Sequence, residues 1–343
     1  MSAQGSNLNN LVEHVIGVDA AARVGQLMKV PPVFSIWECG WVSRKEIAQA
    51  LNMLLFADLL QRVPSGRQYT EEVAAQGGKV MHDHGALRTV RWADHGALPP
   101  GEYAFTRILE PLGYRLNGLF PLDRIGMTGR SYAHQDCPDQ IAQFFVSELH
   151  PEKFSTQFQA TVTRVLSTSQ DPLTPQAQAM LHELARDGRL PFAAALELLP
   201  QLQACFGRQH AIPALQDYDM LLTESAEMAW IATEGNAFNH VTDRVDDVER
   251  VARQQSALGR PMKKAIEVSK NGRIKQTAFV ADPVLRQFRG DHGELVERTV
   301  PGSFYEFISR QQYFDAEPKI NRLDLGFDAG NAQGIFKMTA AAS

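Results

Sequence analysis

Apolar positions along the chain follow two different periods. Leu11, Val15, Val18, Ala22, Val24 and Leu27 recur at helical spacing and predict a helix over Asn9–Leu27, broken by Pro31-Pro32. Ile47, Leu51, Leu54 and Leu59 form a second apolar stripe over Ser43–Val63, opened by Ser43 and Glu46 at capping-box spacing. Residues 1–8 carry no such pattern and are expected to be disordered. The period then shortens to two. Leu87–Trp92 is rich in β-formers, and an extended segment from Met81 would place His82, His84, Ala86 and Arg88 on one face. A short helix, Ala104–Leu112, closes at Gly113, and Arg130–His134 reads as a strand.

Helical patterns return over residues 139–231, as Ile141–Leu149, Phe154–Leu166, Pro175–Asp187, Pro191–Phe206 and Tyr218–Ile231. Beyond them Ala237–Val245 predicts a strand with His240, Thr242 and Arg244 on one face. Asp246 and Glu249 sit at capping-box spacing, and the helix Asp247–Leu258 is closed by Gly259 and Pro261. An Asn-Gly turn at Lys270–Arg273 joins strands Ala265–Ser269 and Thr277–Ala281; Leu295–Val300 and Ser303–Arg310 complete the series. The chain therefore divides into an N-terminal helical segment (1–63), a first β-rich part (64–138), a helical insertion (139–231) and a second strand–helix–strand part (232–343).

Composition narrows the class. A chain of 343 residues with 44% hydrophobic and 21% charged residues describes a globular protein. A net charge of −5 gives no electrostatic footprint for nucleic acid, and no apolar run reaches the ~18 residues of a membrane span. Met1–Asn10 is polar and lacks the features of a signal peptide; the three cysteines lie far apart with no C-x-x-C spacing. A reducing cytoplasm is the expected compartment. The sequence sets no oligomeric state. Ten histidines against three cysteines point any metal site toward nitrogen and oxygen ligands.

Three polar residues stand in apolar strands where burial is costly without a partner. They are a histidine of the first β-rich part (His84 or His82), His240, and Glu306 between Phe304 and Ile308. A salt bridge to an arginine such as Arg310 would satisfy Glu306; a metal ion is the other solution. Two histidines and one carboxylate make the facial triad, which leaves positions open on one side of Fe(II).

The strand–helix–three-strand unit with a first-strand histidine and a last-strand glutamate resembles the vicinal oxygen chelate superfamily. Gly302–Arg310 and Gly326–Phe336 resemble the end of 4-hydroxyphenylpyruvate dioxygenases, where a lid helix follows the glutamate strand. His84-x-x-x-Arg88, Asn239-His240 and Glu306-Phe307-Ile308 resemble the family once known as DUF1338, which includes 2-oxoadipate dioxygenase/decarboxylase. The resemblance runs over residues 10–340. It implies an α+β fold of βαβββ units forming a curved mixed sheet around the metal, with N-terminal helices and a large helical insertion. It implies that His84, His240 and Glu306 ligate Fe(II), with His82 left to a supporting or structural role, and that Arg88 holds a carboxylate of a 2-oxo acid substrate. The implied reaction takes 2-oxoadipate and O2 to 2-hydroxyglutarate and CO2 in lysine catabolism. A lid near Asn331–Met338 would exclude water, and Arg310 and Tyr305 are candidate supporting or substrate contacts. Two alternatives remain: a non-redox lyase or isomerase using Zn2+ or Ni2+ at the same residues, and a metal-free small-molecule binding protein.

Overall fold

A computed structural model describes residues 5–34, 40–315 and 319–328. Two helices, α1 (Asn7–Ile16) and α2 (Val18–Leu27), occupy the first predicted helical stretch. They part at Gly17, whose φ of 83° only glycine adopts cheaply. Asn7 and Leu8 are thus helical and buried rather than disordered. Helix α3 (Arg44–Arg62) begins at the predicted capping box, with the Glu46 carboxylate accepting from Ser43 N at 2.8 Å. It runs directly into α4 (Pro64–Ala75), where Pro64 stands at the first helical position that tolerates it.

The core is one eight-stranded mixed sheet built from two βαβββ units. The first unit is β1 (His82–Val90), α5 (Tyr103–Leu109), β2 (Tyr114–Leu122), β3 (Met127–His134) and β4 (Gln143–Leu149). Five helices follow: α6 (Thr156–Leu166), α7 (Pro175–Asp187), α8 (Phe192–Ala204), α9 (Leu215–Glu224) and α10 (Ala226–Glu234). The second unit is β5 (Phe238–Arg244), α11 (Val248–Ala257), β6 (Glu267–Val268), β7 (Ile274–Ala278) and β8 (Phe304–Arg310). Strand order is β2-β3-β4-β1-β5-β8-β7-β6. Each unit's first strand pairs in parallel with its last, β1 with β4 and β5 with β8, and the units join through the antiparallel pair β1–β5. The α+β architecture of curved βαβββ units with a helical insertion is as the sequence implies.

Several local expectations change. Residues Ile141–Leu149, expected to be helical, contain strand β4, buried along its whole length. A strand buried on both faces reads as a continuous apolar run, so Phe144, Phe145 and Val146 give no period of two. Tyr218–Ile231 spans two helices that part at Ser225, whose side chain caps α10 at Met228 N. The cap of α11 is Asp247, which accepts from Arg250 N at 2.9 Å, rather than Asp246. A separate hairpin, Pro283–Arg289 with Leu295–Pro301, interrupts the second unit without joining its sheet.

Two faces follow from this topology. The outer face carries the larger core, including Leu87, Phe144, Val241 and Phe307 with helix α3. Gly85 is required there, since a Cβ would lie 2.1 Å from the Phe238 ring. The concave face carries Ala86, Phe145 and Trp230 of a second apolar cluster. No helix among the described residues is long and apolar enough to cross a membrane.

On the outer face Asp243 accepts from the Tyr69 hydroxyl at 2.9 Å and from Met81 N at 2.8 Å. Burial raises its carboxyl to about 6, against the pull of those two bonds and of Lys29. A raised folded pKa means that the favourable contribution is complete below the unfolded value near 4 and is lost as pH rises through about 6. Asp243→Asn removes that dependence. Urea unfolding of both proteins at pH 4 and pH 7 should show the natural chain losing roughly 3 kcal/mol relative to the variant.

Candidate metal centre

One cross-strand row sets the site. Gln143 of β4 lies opposite His84 of β1, His84 opposite Thr242 of β5, and Thr242 opposite Glu306 of β8. His240 stands one row over, opposite Ala86 and Phe304. Residues remote in sequence thereby converge: a ligand atom from each of His84, His240 and Glu306 lies within 4.8 Å of the others. All three are buried, at 2%, 5% and 1% exposure.

Two β-bulges orient the imidazoles. From His82 to His84, strand β1 advances two residues while β5 advances one, so Asp83 is extra. From Ala86 to Leu87, β5 advances two while β1 advances one, so Asn239 is extra. In a regular strand, neighbours i and i+1 face opposite sides of the sheet, and neither residue could reach the ring after it. At a bulge the extra residue is turned. Asp83 Oδ2 therefore meets His84 Nδ1 at 2.9 Å, and the Asn239 amide meets His240 Nδ1 at 3.0 Å. With each Nδ1 held, both Nε2 atoms aim at Glu306 Oε2, at 3.3 Å from His84 and 3.6 Å from His240. A half-turn of the Asn239 amide would set Oδ1, otherwise buried without a hydrogen bond, on Nδ1–H and leave the Nε2 lone pair free.

Electrostatics favour a cation here. Burial drives His240 down to about 3, so it is neutral and a competent donor. Burial also opposes charge on His84, but Asp83 and Glu306 outweigh it and raise that imidazole above its ordinary value. Burial pushes Glu306 up, yet His240, His84 and the Thr242 hydroxyl bring it below the usual carboxylate range. Thr242 donates to Glu306 Oε2 at 2.6 Å and lies 3.1 Å from His84 Nε2. Glu306 Oε1 is buried with no partner among the described residues. Ligand atoms held ~2.1 Å from one ion at right angles stand roughly 3 Å apart. The donor set, its spacing and the orphaned carboxylate oxygen all fit a divalent metal.

The surroundings correct other expectations. His82 does not share the face of His84. The Asp83 bulge reverses it onto the outer side, where its ring packs 5.4 Å from Phe56. Glu306 is not paired with Arg310, which instead grips Asp83 through Nε and Nη2 at 2.9 Å each. Tyr305 points to the outer face, where its ring packs among Tyr69, Phe279 and Phe307. Arg88 does lie on the site face, fully buried, its guanidinium 4.9 Å over the Trp230 ring. Burial lowers its pKa to about 10, leaving it cationic at neutral pH. The lid expected at Asn331–Met338 lies outside the described residues. Asp83, Trp230 and Gln143 were not singled out by the sequence, and Thr242 was placed on the face of His240 without a role. An oxygen-bearing side chain immediately before each histidine, Asp83-His84 and Asn239-His240, was the available signal.

The sequence model of the 2-oxoadipate dioxygenase/decarboxylase family matches residues 53–319. A chloroplastic 2-oxoadipate dioxygenase/decarboxylase from Arabidopsis thaliana is 27% identical over 143 residues, 37% of this chain. The matched part spans 38% of that relative's length. The crystal structure of a glyoxalase superfamily protein from Ralstonia eutropha JMP134 is 61% identical, with a TM-score of 0.88 over 94% of this chain and 99% of that one. Hydroxyglutarate synthase from Oryza sativa, solved with 2-oxoadipate, shares the fold at a TM-score of 0.66 and 18% identity, over 92% and 96% of the two chains.

Removal of a ligand tests the site directly. His240→Ala and Glu306→Gln should each lose stoichiometric binding of Fe(II) or Co(II), read by metal analysis after gel filtration, with the far-UV circular dichroism unchanged. Full occupancy in either variant would reject the triad.

Proposed function

The chain belongs to the 2-oxoadipate dioxygenase/decarboxylase family, and from that premise we propose that it is an Fe(II)-dependent oxygenase. It would convert a 2-oxo diacid, 2-oxoadipate, with O2 into a 2-hydroxy acid, 2-hydroxyglutarate, and CO2. The observation that carries this reading is the buried His84–His240–Glu306 cluster, a facial set on the concave side of the sheet. Iron bound there would supply open positions where the 2-oxo acid and O2 meet and O2 is reduced. The overall reaction balances without an external reductant, because the 2-oxo acid itself provides the electrons.

This chain's residues supply the rest. Asp83 and Asn239 hold the two rings against rotation. Arg88 lies four residues along β1 from His84, about 13 Å at strand rise, with only Ala86 between them on that face. Its fork matches a carboxylate in a bidentate manner. A diacid with its 2-oxo acid end at the metal would extend its far carboxylate toward it. Phe145, Phe304 and Phe327 line the way with apolar surface and keep water out. Trp230 holds the guanidinium flat, its own Nε1 anchored on Gly302 O at 3.0 Å.

Oxygen-electrode assays of the Fe(II)-loaded protein with 2-oxo diacids of graded length should show uptake matched one to one by CO2, fastest with 2-oxoadipate. Absence of uptake with every diacid, together with anaerobic turnover on Zn2+, would favour the lyase or isomerase alternative. Arg88→Lys replaces the fork by a point charge and should lower kcat/KM by about 10- to 100-fold, the loss of one charge-assisted bond. Unchanged kinetics would remove Arg88 from the substrate site.

A further inference from the structure

One guanidinium connects the metal centre to the segment that covers it. Arg310 ends β8, and its side chain is fully buried. One edge, Nε and Nη2, takes both oxygens of Asp83, the residue that fixes His84. The other, Nη1, donates to the carbonyls of Asp324 at 2.9 Å and Gly326 at 2.7 Å. Its plane covers the Phe327 ring at 4.9 Å, and that ring stands edge-on to His84, also at 4.9 Å. Residues 324–328 are tied down elsewhere by Asn117 Nδ2, which donates to Leu325 O at 3.1 Å, and by contacts of Phe327 with Phe120 and Phe145. The strap thus lies across the concave face, held at one end by the residue that also holds Asp83, the carboxylate behind the ligand His84.

We propose that Arg310 is a positioning residue that couples docking of residues 324–328 to the orientation of His84. The proposal rests on the metal-centre reading above. A strap that lifts leaves Nη1 without its two carbonyls and uncovers the guanidinium plane. Water then competes for the same group, and the clamp on Asp83 slackens. With the strap down, every guanidinium nitrogen is engaged and Asp83 has one position. Coupling of this kind is reciprocal: strap closure tightens metal binding, and metal binding tightens the strap by the same factor. Lysine cannot substitute, because a single ammonium cannot span a carboxylate on one side and two carbonyls on the other.

The test uses the full chain and Co(II), with two readouts independent of turnover: affinity by chelator competition, and hydrogen exchange of peptides covering residues 319–328 with and without metal. In the natural chain Co(II) should slow exchange of the strap. Asn117→Ala loosens the strap without touching any ligand, and it should weaken Co(II) binding severalfold. Arg310→Lys should cost about 10-fold or more, the scale for losing a group behind a ligand, and its strap exchange should no longer respond to metal. Asn117→Ala with faster strap exchange but unchanged Co(II) affinity overturns the coupling. So does an Arg310→Lys protein whose strap responds to metal as in the natural chain. Failure of the natural chain itself to bind Co(II) overturns the metal-centre reading and this proposal together.

Discussion

The β1–β5 pair depends on two extra residues. Without Asp83 bulged from β1 and Asn239 bulged from β5, neither imidazole Nδ1 would have the side-chain partner it now meets. Each bulge disrupts a ladder and leaves one residue out of pairing. In return it supplies the oxygen-bearing side chain that fixes ring orientation on the face where three donors meet. The bulge in β1 also sends His82 to the far side, which separates two histidines that a regular strand would have set together.

The rest of the architecture serves that pair. Each βαβββ unit gives its first strand to the centre and its last strand as the flanking parallel neighbour, so β4 and β8 bring Gln143 and Glu306 into one row with His84. The helical insertion sits between the units and returns through α10, which carries Trp230 onto Arg88. A fully buried guanidinium is tolerable there because the ring covers its face and Glu227 lies close enough to favour the charge.

Charge is layered outward from the centre. Glu306 faces two imidazoles, Asp83 stands behind one of them, and Arg310 stands behind Asp83. Alternating sign along this chain lets several ionised groups share a nearly dry interior, each offset by the next. A divalent ion bound here would face one carboxylate and two imidazole nitrogens, the latter unprotonated once they bind it.

Much of this was legible from residues alone. Period-two alternation placed His240 and Thr242 on one face, and a carboxylate between Phe304 and Ile308 was conspicuous because an apolar strand face penalises it. Helices with caps and apolar stripes, such as α3 and α7, were equally plain, since their determinants are local. Strand β4 was not, because burial on both faces erases its period and makes Phe144-Phe145-Val146 read like part of a helix. Nor could strand periodicity decide between His82 and His84, which only the family resemblance separated, or show that Asp83 and Asn239 reach the rings beside them. Those facts depend on where a ladder skips a residue. A skip is set by how two strands 150 residues apart come into register, and only the packed sheet fixes that register.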